Sequence, residues 1–224
     1  MVGYDRGSQE VPMRLGYSVA AFALAVIAAA TLAHARPAAA AVPSPSTSSW
    51  DNCLVWCPEG DIPFHVVIRD LANNPQPNSS VDIRIFGCNG VDVCPLNGSE
   101  AYTLFGPPGT QFVRQIAAAD GSTTFRVRAG GTCPSVSMTA DGVAMFISKP
   151  LRSPDLNGDG VVNATDRNLM IGLMGTSDAG ADLNCDAVVS QADLDLLNLH
   201  YGHACGGATP TRRSSWGALK VIYR

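Results

Sequence analysis

Hydrophobic positions alternate with polar ones over much of the first two thirds of the chain. In Pro63 to Arg69, Phe64, Val66 and Ile68 fall on one face, with His65, Val67 and Arg69 on the other. Val81, Ile83 and Ile85 alternate with Asp82 and Arg84, and Phe125 and Val127 with Arg126 and Arg128. A period of two predicts half-buried strands. Asn73 to Asn78, with two prolines among polar residues, is turn chemistry. Asp120-Gly121 and Asp141-Gly142 each stand between strand patterns, which predicts hairpins. Strands at this spacing over residues 51–150 predict a β-sandwich.

The pattern changes after residue 150. Ala164 to Met174 carries Leu169, Met170 and Leu173 at helical spacing, and Gln191 to Tyr201 carries Leu194, Leu197 and Tyr201. Gly175 and Gly202 are the expected stops. Two acidic segments lead into these helices. Asp155, Asn157, Asp159, Asn163 and Asp166 fall at positions 1, 3, 5, 9 and 12 of a twelve-residue loop. Gly160 is at position 6, where the chain turns, and Val161 at position 7 offers its backbone carbonyl. Twenty-seven residues later, Asp182, Asn184, Asp186, Ser190 and Asp193 repeat the spacing, with Val188 at position 7. Hard oxygens at these intervals suit a calcium ion, so two Ca2+ sites are expected. Ala187 replaces glycine at position 6 of the second loop, which predicts weaker binding there. Between Leu151 and Cys205 eight aspartates face two arginines, so a cation should be needed to fold this part.

The strand region resembles a bacterial immunoglobulin-like domain of the invasin type. The matching pieces are Val67 to Asp70, Asn74-Pro75, Val81 to Ile83, Ala119 to Phe125 and Thr139 to Gly142. The loop-helix repeats resemble a dockerin, and Asp at both twelfth positions and Pro154 before the first loop set them apart from an ordinary EF-hand. The two resemblances imply a mostly β immunoglobulin-like sandwich followed by a small all-α dockerin-like domain with paired calcium loops. The second also implies a cohesin-type partner, recognised through positions 10 and 11 of each loop. Here those are Ala164 and Thr165, and Gln191 and Ala192; the basic pair frequent further down such helices is replaced by Ile171-Gly172 and Asn198-Leu199.

Composition adds compartment. Charged residues make up only 15% of the 224 and the net charge is −4, without a basic patch in the body of the chain, which argues against nucleic acid. Met13-Arg14, the uncharged run Tyr17 to Ala33 and the small-residue sites that follow predict a signal peptide over 1–41, leaving no transmembrane span after cleavage. Residues 42–50 read as a linker, 151–205 as the calcium-binding domain, and 206–224 as a linker with a basic amphipathic tail. Seven cysteines suit an oxidising exterior, and one of them must be left over or pair between molecules. Cys88 with Cys94, and Cys53 or Cys57 with Cys133, are the expected pairs. Zinc on Cys53, Cys57 and Cys88 is the weaker alternative. His200 and His203 suit either a metal or, more simply, the negative end of the helix.

No nucleophile motif, phosphate loop or catalytic carboxylate pair stands out. The expected function is non-catalytic attachment outside the cell, with the sandwich as spacer or adhesion module. Two alternatives stay open: an accessory of a polysaccharide-degrading complex with a glycan-binding sandwich, and an extracellular enzyme with an unrecognised site.

Overall fold

The computed structural model describes residues 41–88 and 90–206. The expected signal segment, up to Ala40, and the basic tail past Gly206 lie outside the described residues. Eleven strands and two helices form among the described residues. The strands are β1 (Ser49–Trp50), β2 (Leu54–Val55), β3 (Phe64–Val67), β4 (Ser80–Arg84), β5 (Asp92–Val93), β6 (Thr103–Phe105), β7 (Phe112–Ile116), β8 (Ser122–Phe125), β9 (Ala129–Gly130), β10 (Cys133–Ala140) and β11 (Val143–Arg152). The helices are α1 (Ala164–Leu173) and α2 (Gln191–Leu199).

Three sheets result. One has the order β1-β3-β8, one the order β2-β11-β10-β4-β7-β6, and β5 pairs with β9. The alternating residues behave as their period dictates: Phe64, Val66, Val81, Ile83 and Phe125 are buried in one core with Leu54, Trp56, Val113, Met138 and Leu151. The Asp141-Gly142 hairpin forms between β10 and β11, with both residues at positive φ, 48° and 82°. Asp120-Gly121 does not make a hairpin. β7 belongs to the six-stranded sheet and β8 to the three-stranded one, so this turn carries the chain from one sheet to the other.

The expected division into a sandwich and a separate all-α domain is not what the chain adopts. It is mostly β, with curled sheets and only two helices among the described residues. Of the described residues, those from Val42 to Gly206 cluster as one unit. The reason lies in β2 and β11. Neighbouring residues on a strand face opposite sides. Leu54 and Leu151 enter the β core, while Val55 joins the cluster of Val162, Met170, Ala181, Leu183, Val189, Leu194 and Leu197 beneath the helices. β2 pairs in parallel with the end of β11, Leu54 opposite Leu151 and Val55 opposite Arg152, so the expected boundary at residue 150 falls inside a strand. One short edge strand thus serves two cores, and the repeats pack their own buried cluster against Val55 of that strand.

The cysteines follow the same plan. Cys53 bonds Cys185, Cys94 bonds Cys205, and Cys88 bonds Cys133; Cys57 is the free one. None of the expected pairs forms, because two of the three bonds tie the strand region to the repeats. The expected linker at 42–50 is also part of the β unit. Pro43 bridges Asp70, the amide of Ser44 donates to the Arg69 carbonyl, and Ser49 and Trp50 pair with Val67 and Val66.

Candidate functional site

β11 runs directly into the first acidic loop, and the two loops adopt one backbone scheme. In the first, the Asp155 carboxylate accepts from the amides of Gly158, Asp159 and Gly160 at 2.8–3.2 Å. In the second, Asp182 accepts from Asp186 and Ala187 at 3.1 Å. Asn157 and Asn184 each accept from the amide two residues on, at 3.0 Å.

The twelfth positions explain their aspartates. Asn163 caps α1 and Ser190 caps α2, each in a capping box whose third helical residue is Asp166 or Asp193. Asp166 accepts from the amides of Asn157 and Asn163, and Asp193 from those of Asn184 and Ser190. Each position-12 carboxylate therefore ties the start of its loop to its helix cap. Asp155, Asp166, Asp182 and Asp193 are all buried, an expensive arrangement for carboxylates of which only Asp182 has a cationic side chain beside it, Arg152. Burial, reinforced by the charges of Asp166 and Asp159 and opposed by the Gly160 and Gly158 amides, holds the Asp155 carboxyl above its ordinary range. Oxygens of Asp182, Asp186 and Asp193 lie within 4.8 Å of one another.

The repeat closes on itself by exchange. Val162, at position 8 of the first loop, donates to the His203 carbonyl and accepts from Gly202, both beyond α2. Val189, its counterpart, donates to the Thr176 carbonyl and accepts from Gly175, beyond α1. Each loop is thus bonded to the segment leaving the other helix. Both valines are fully buried.

Residues outside the repeats complete the site. The Gly131 amide donates to the Asp155 carbonyl at 2.7 Å, and the Ser153 hydroxyl accepts from the Asp155 amide. Buried Arg152 lies 3.5 Å from the Asp182 carboxylate. No ligand spacing points to these residues; the Gly130-Gly131 pair was the one visible signal of a close backbone approach. The residues at positions 10 and 11, Ala164, Thr165, Gln191 and Ala192, are all exposed. Leu169, expected on the buried face of α1, is 44% exposed, and Ile171, Leu199 and Tyr201 are exposed as well.

A second cluster joins four other residues. Cys57 and Asp61 come from the loop between β2 and β3, and His200 and His203 from the end of α2 and beyond. Their donor atoms lie within 4.8 Å of one another. Cys53 and Cys88, the other cysteines of the weaker zinc alternative, are in disulfides elsewhere. The outer face of the six-stranded sheet carries Phe105 and Phe112, stacked at 4.8 Å, with Arg114 5.2 Å and 5.5 Å from their ring centres. Trp56, Phe64 and Tyr102 are buried. Among the described residues no helix is long and apolar enough to cross a membrane.

No family model, curated protein or solved structure matches this chain.

Proposed function

We propose that this chain is a secreted attachment protein whose repeats bind two calcium ions and present a docking surface to a cohesin-type receptor. The observation that carries the reading is the duplicated loop. Both loops bury the carboxylates at positions 1 and 12 and orient them with the same backbone amides. Asp155, Asn157, Asp159, Asn163 and Asp166 with the Val161 carbonyl form the first ligand set. Asp182, Asn184, Asp186, Ser190 and Asp193 with the Val188 carbonyl form the second. All are oxygen donors, as calcium requires. Secretion rests on the segment before residue 42 and on the cysteine content, to which the three disulfides are suited.

The docking role draws on the exposed side chains of α1 and α2. Ala164, Thr165, Gln191 and Ala192 begin the helices, and Ile171, Leu199 and Tyr201 add apolar surface of the kind partners cover. The glycan alternative needs free aromatic faces. Arg114 lies against both Phe105 and Phe112, Arg84 also approaches Phe112, and Asp82 holds the Arg114 guanidinium through two hydrogen bonds. That cation–π ladder occupies the platform a sugar would use, which favours attachment over glycan binding.

Calorimetric calcium titration of the disulfide-intact chain tests the reading, with melting followed in calcium and in a calcium-selective chelator. Two binding events and a higher melting temperature in calcium are expected. No binding overturns it. Surface plasmon resonance against purified cohesins then tests the partner, with binding expected only in calcium.

A further inference from the structure

We propose that Cys57, Asp61, His200 and His203 form a zinc site, separate from the calcium loops and independent of the attachment reading. Cys57 Sγ lies 3.3 Å from His203 Nδ1, His203 Nδ1 lies 3.6 Å from Asp61 Oδ1, and His200 Nδ1 lies 3.1 Å from Asp61 Oδ2. Tetrahedral zinc, with bonds of about 2.0–2.3 Å to nitrogen, oxygen and sulfur, sets its donors roughly 3.3–3.8 Å apart. Three of the donor pairs stand at 3.1–3.6 Å, close to that spacing, and all four donors lie within 4.8 Å of one another; one thiol, two imidazoles and one carboxylate make a donor set softer than calcium takes.

Two further observations point to an ion. His200 is only 9% exposed, and its buried Nδ1 has an Asp61 carboxylate oxygen 3.1 Å away as its one near polar neighbour, without a well-formed hydrogen bond to it. A buried imidazole nitrogen set beside a carboxylate, in a cluster that also holds a thiol, is what a bound cation would satisfy. His203 turns Nδ1 toward the cluster and Nε2 toward Glu59 Oε2, 3.5 Å away, the outer carboxylate that metal-bound histidines commonly have.

The same atoms also resemble a cysteine nucleophile with a His–Glu pair, which would serve the enzyme alternative. Cys57 is fully buried, and burial pushes its thiol well above the ordinary range. A substrate carbonyl cannot reach it, and a thiol so placed is not a thiolate unless a cation replaces its proton. Zinc binding would do that, releasing the proton to solvent and leaving a Zn–thiolate bond.

The cluster ties the β2–β3 loop to the end of the repeats, between the Cys53–Cys185 and Cys94–Cys205 bonds. It also touches the first loop through the backbone. Val162 bonds His203, and Cys205 donates to the Gly160 carbonyl at 2.7 Å.

Cobalt titration of the metal-stripped, disulfide-intact chain tests the site, with calcium in excess to fill the oxygen loops. One equivalent is expected, giving intense tetrahedral d–d bands and a sulfur-to-cobalt charge-transfer band, both lost when zinc is added. Cys57→Ser should abolish the charge-transfer band, and His203→Gln should weaken binding at least tenfold. His65→Gln, at the exposed position of β3, should leave cobalt binding unchanged. Absence of the charge-transfer band in the parent chain, or its persistence in Cys57→Ser, overturns the proposal. If Cys57→Ser fails to fold, the parent spectrum and His203→Gln decide: unchanged cobalt affinity in His203→Gln overturns the site.

Discussion

The Asp155 carboxylate fills the space that a side chain at Gly130 would need. This contact joins the first ligand position of the acidic loop to β9, and no spacing rule connects the two residues. Gly130→Ala would drive a methyl group into the Asp155 oxygens and displace the carboxylate. The first calcium event should weaken at least tenfold while the second is retained, and stability should fall by roughly 1–3 kcal/mol. Calorimetry and thermal melting report both; two unchanged calcium events would remove Asp155 from the ligand set.

Local grammar made most of the elements readable. Alternation placed β3, β4 and β8, Asp141-Gly142 placed a hairpin, and the duplicated acidic spacing placed both loops and helices. Long-range relations were not readable. Asp120-Gly121 has the composition of a hairpin, but a turn does not specify which sheet the next strand joins. Val55 follows Leu54 in an apolar pair, and only the folded chain reveals that its face is covered by the repeats. Disulfide partners are underdetermined by cysteine number, and Cys57 and His203 are 146 residues apart. The odd cysteine count and the spacing of His200 and His203 were readable signals, but nothing in the sequence joined them.

The second loop carries a strain the first avoids. Its positions 4 and 6 are Cys185 and Ala187, at φ 63° and 73°, where the first loop has Gly158 and Gly160 at 71° and 84°. A left-handed non-glycine residue costs about 1 kcal/mol. Cys185 is held by its bond to Cys53, whereas Ala187 has no such tether. Ala187→Gly should therefore tighten the second calcium event up to about fivefold, part of the gain being offset by the freer unfolded chain. A calcium titration of the variant checks this, and weaker binding would show that position 6 does not limit the loop.

Acid should weaken the β unit through Glu100. Burial alone would raise its carboxyl, but the amides of Asn97 and Gly98 and the Arg128 guanidinium at 2.9 Å outweigh it and bring it down to about 2. A group whose folded pKa is depressed stabilises the fold above its unfolded value, and that contribution is lost as pH falls through the folded value. The window runs from 4.5 down to about 2. Glu100→Gln should cost roughly 2 kcal/mol at neutral pH and flatten this part of the acid limb. Parallel melting-temperature profiles for parent and variant between those values would rule the contact out as an acid-sensitive one.

Arg152 offers a test of whether a cation stands in the second loop. Its guanidinium is the protein's own positive charge beside Asp182, and both side chains are nearly enclosed, 9% and 4% exposed. Removing one member of a buried pair leaves the other uncompensated, at about 3–5 kcal/mol. A calcium ion held by Asp182 would supply that compensation from the other side. Arg152→Met, which keeps much of the volume and deletes the charge, should therefore cost several kcal/mol in chelator and markedly less in saturating calcium. By reciprocity the variant should bind calcium more tightly at the second loop, since the ion no longer shares Asp182 with a guanidinium. Denaturant melts of both proteins with and without calcium complete the cycle. Equal losses in the two conditions would mean that calcium and Arg152 do not act on the same carboxylate, and the second ligand set would have to be redrawn without Asp182.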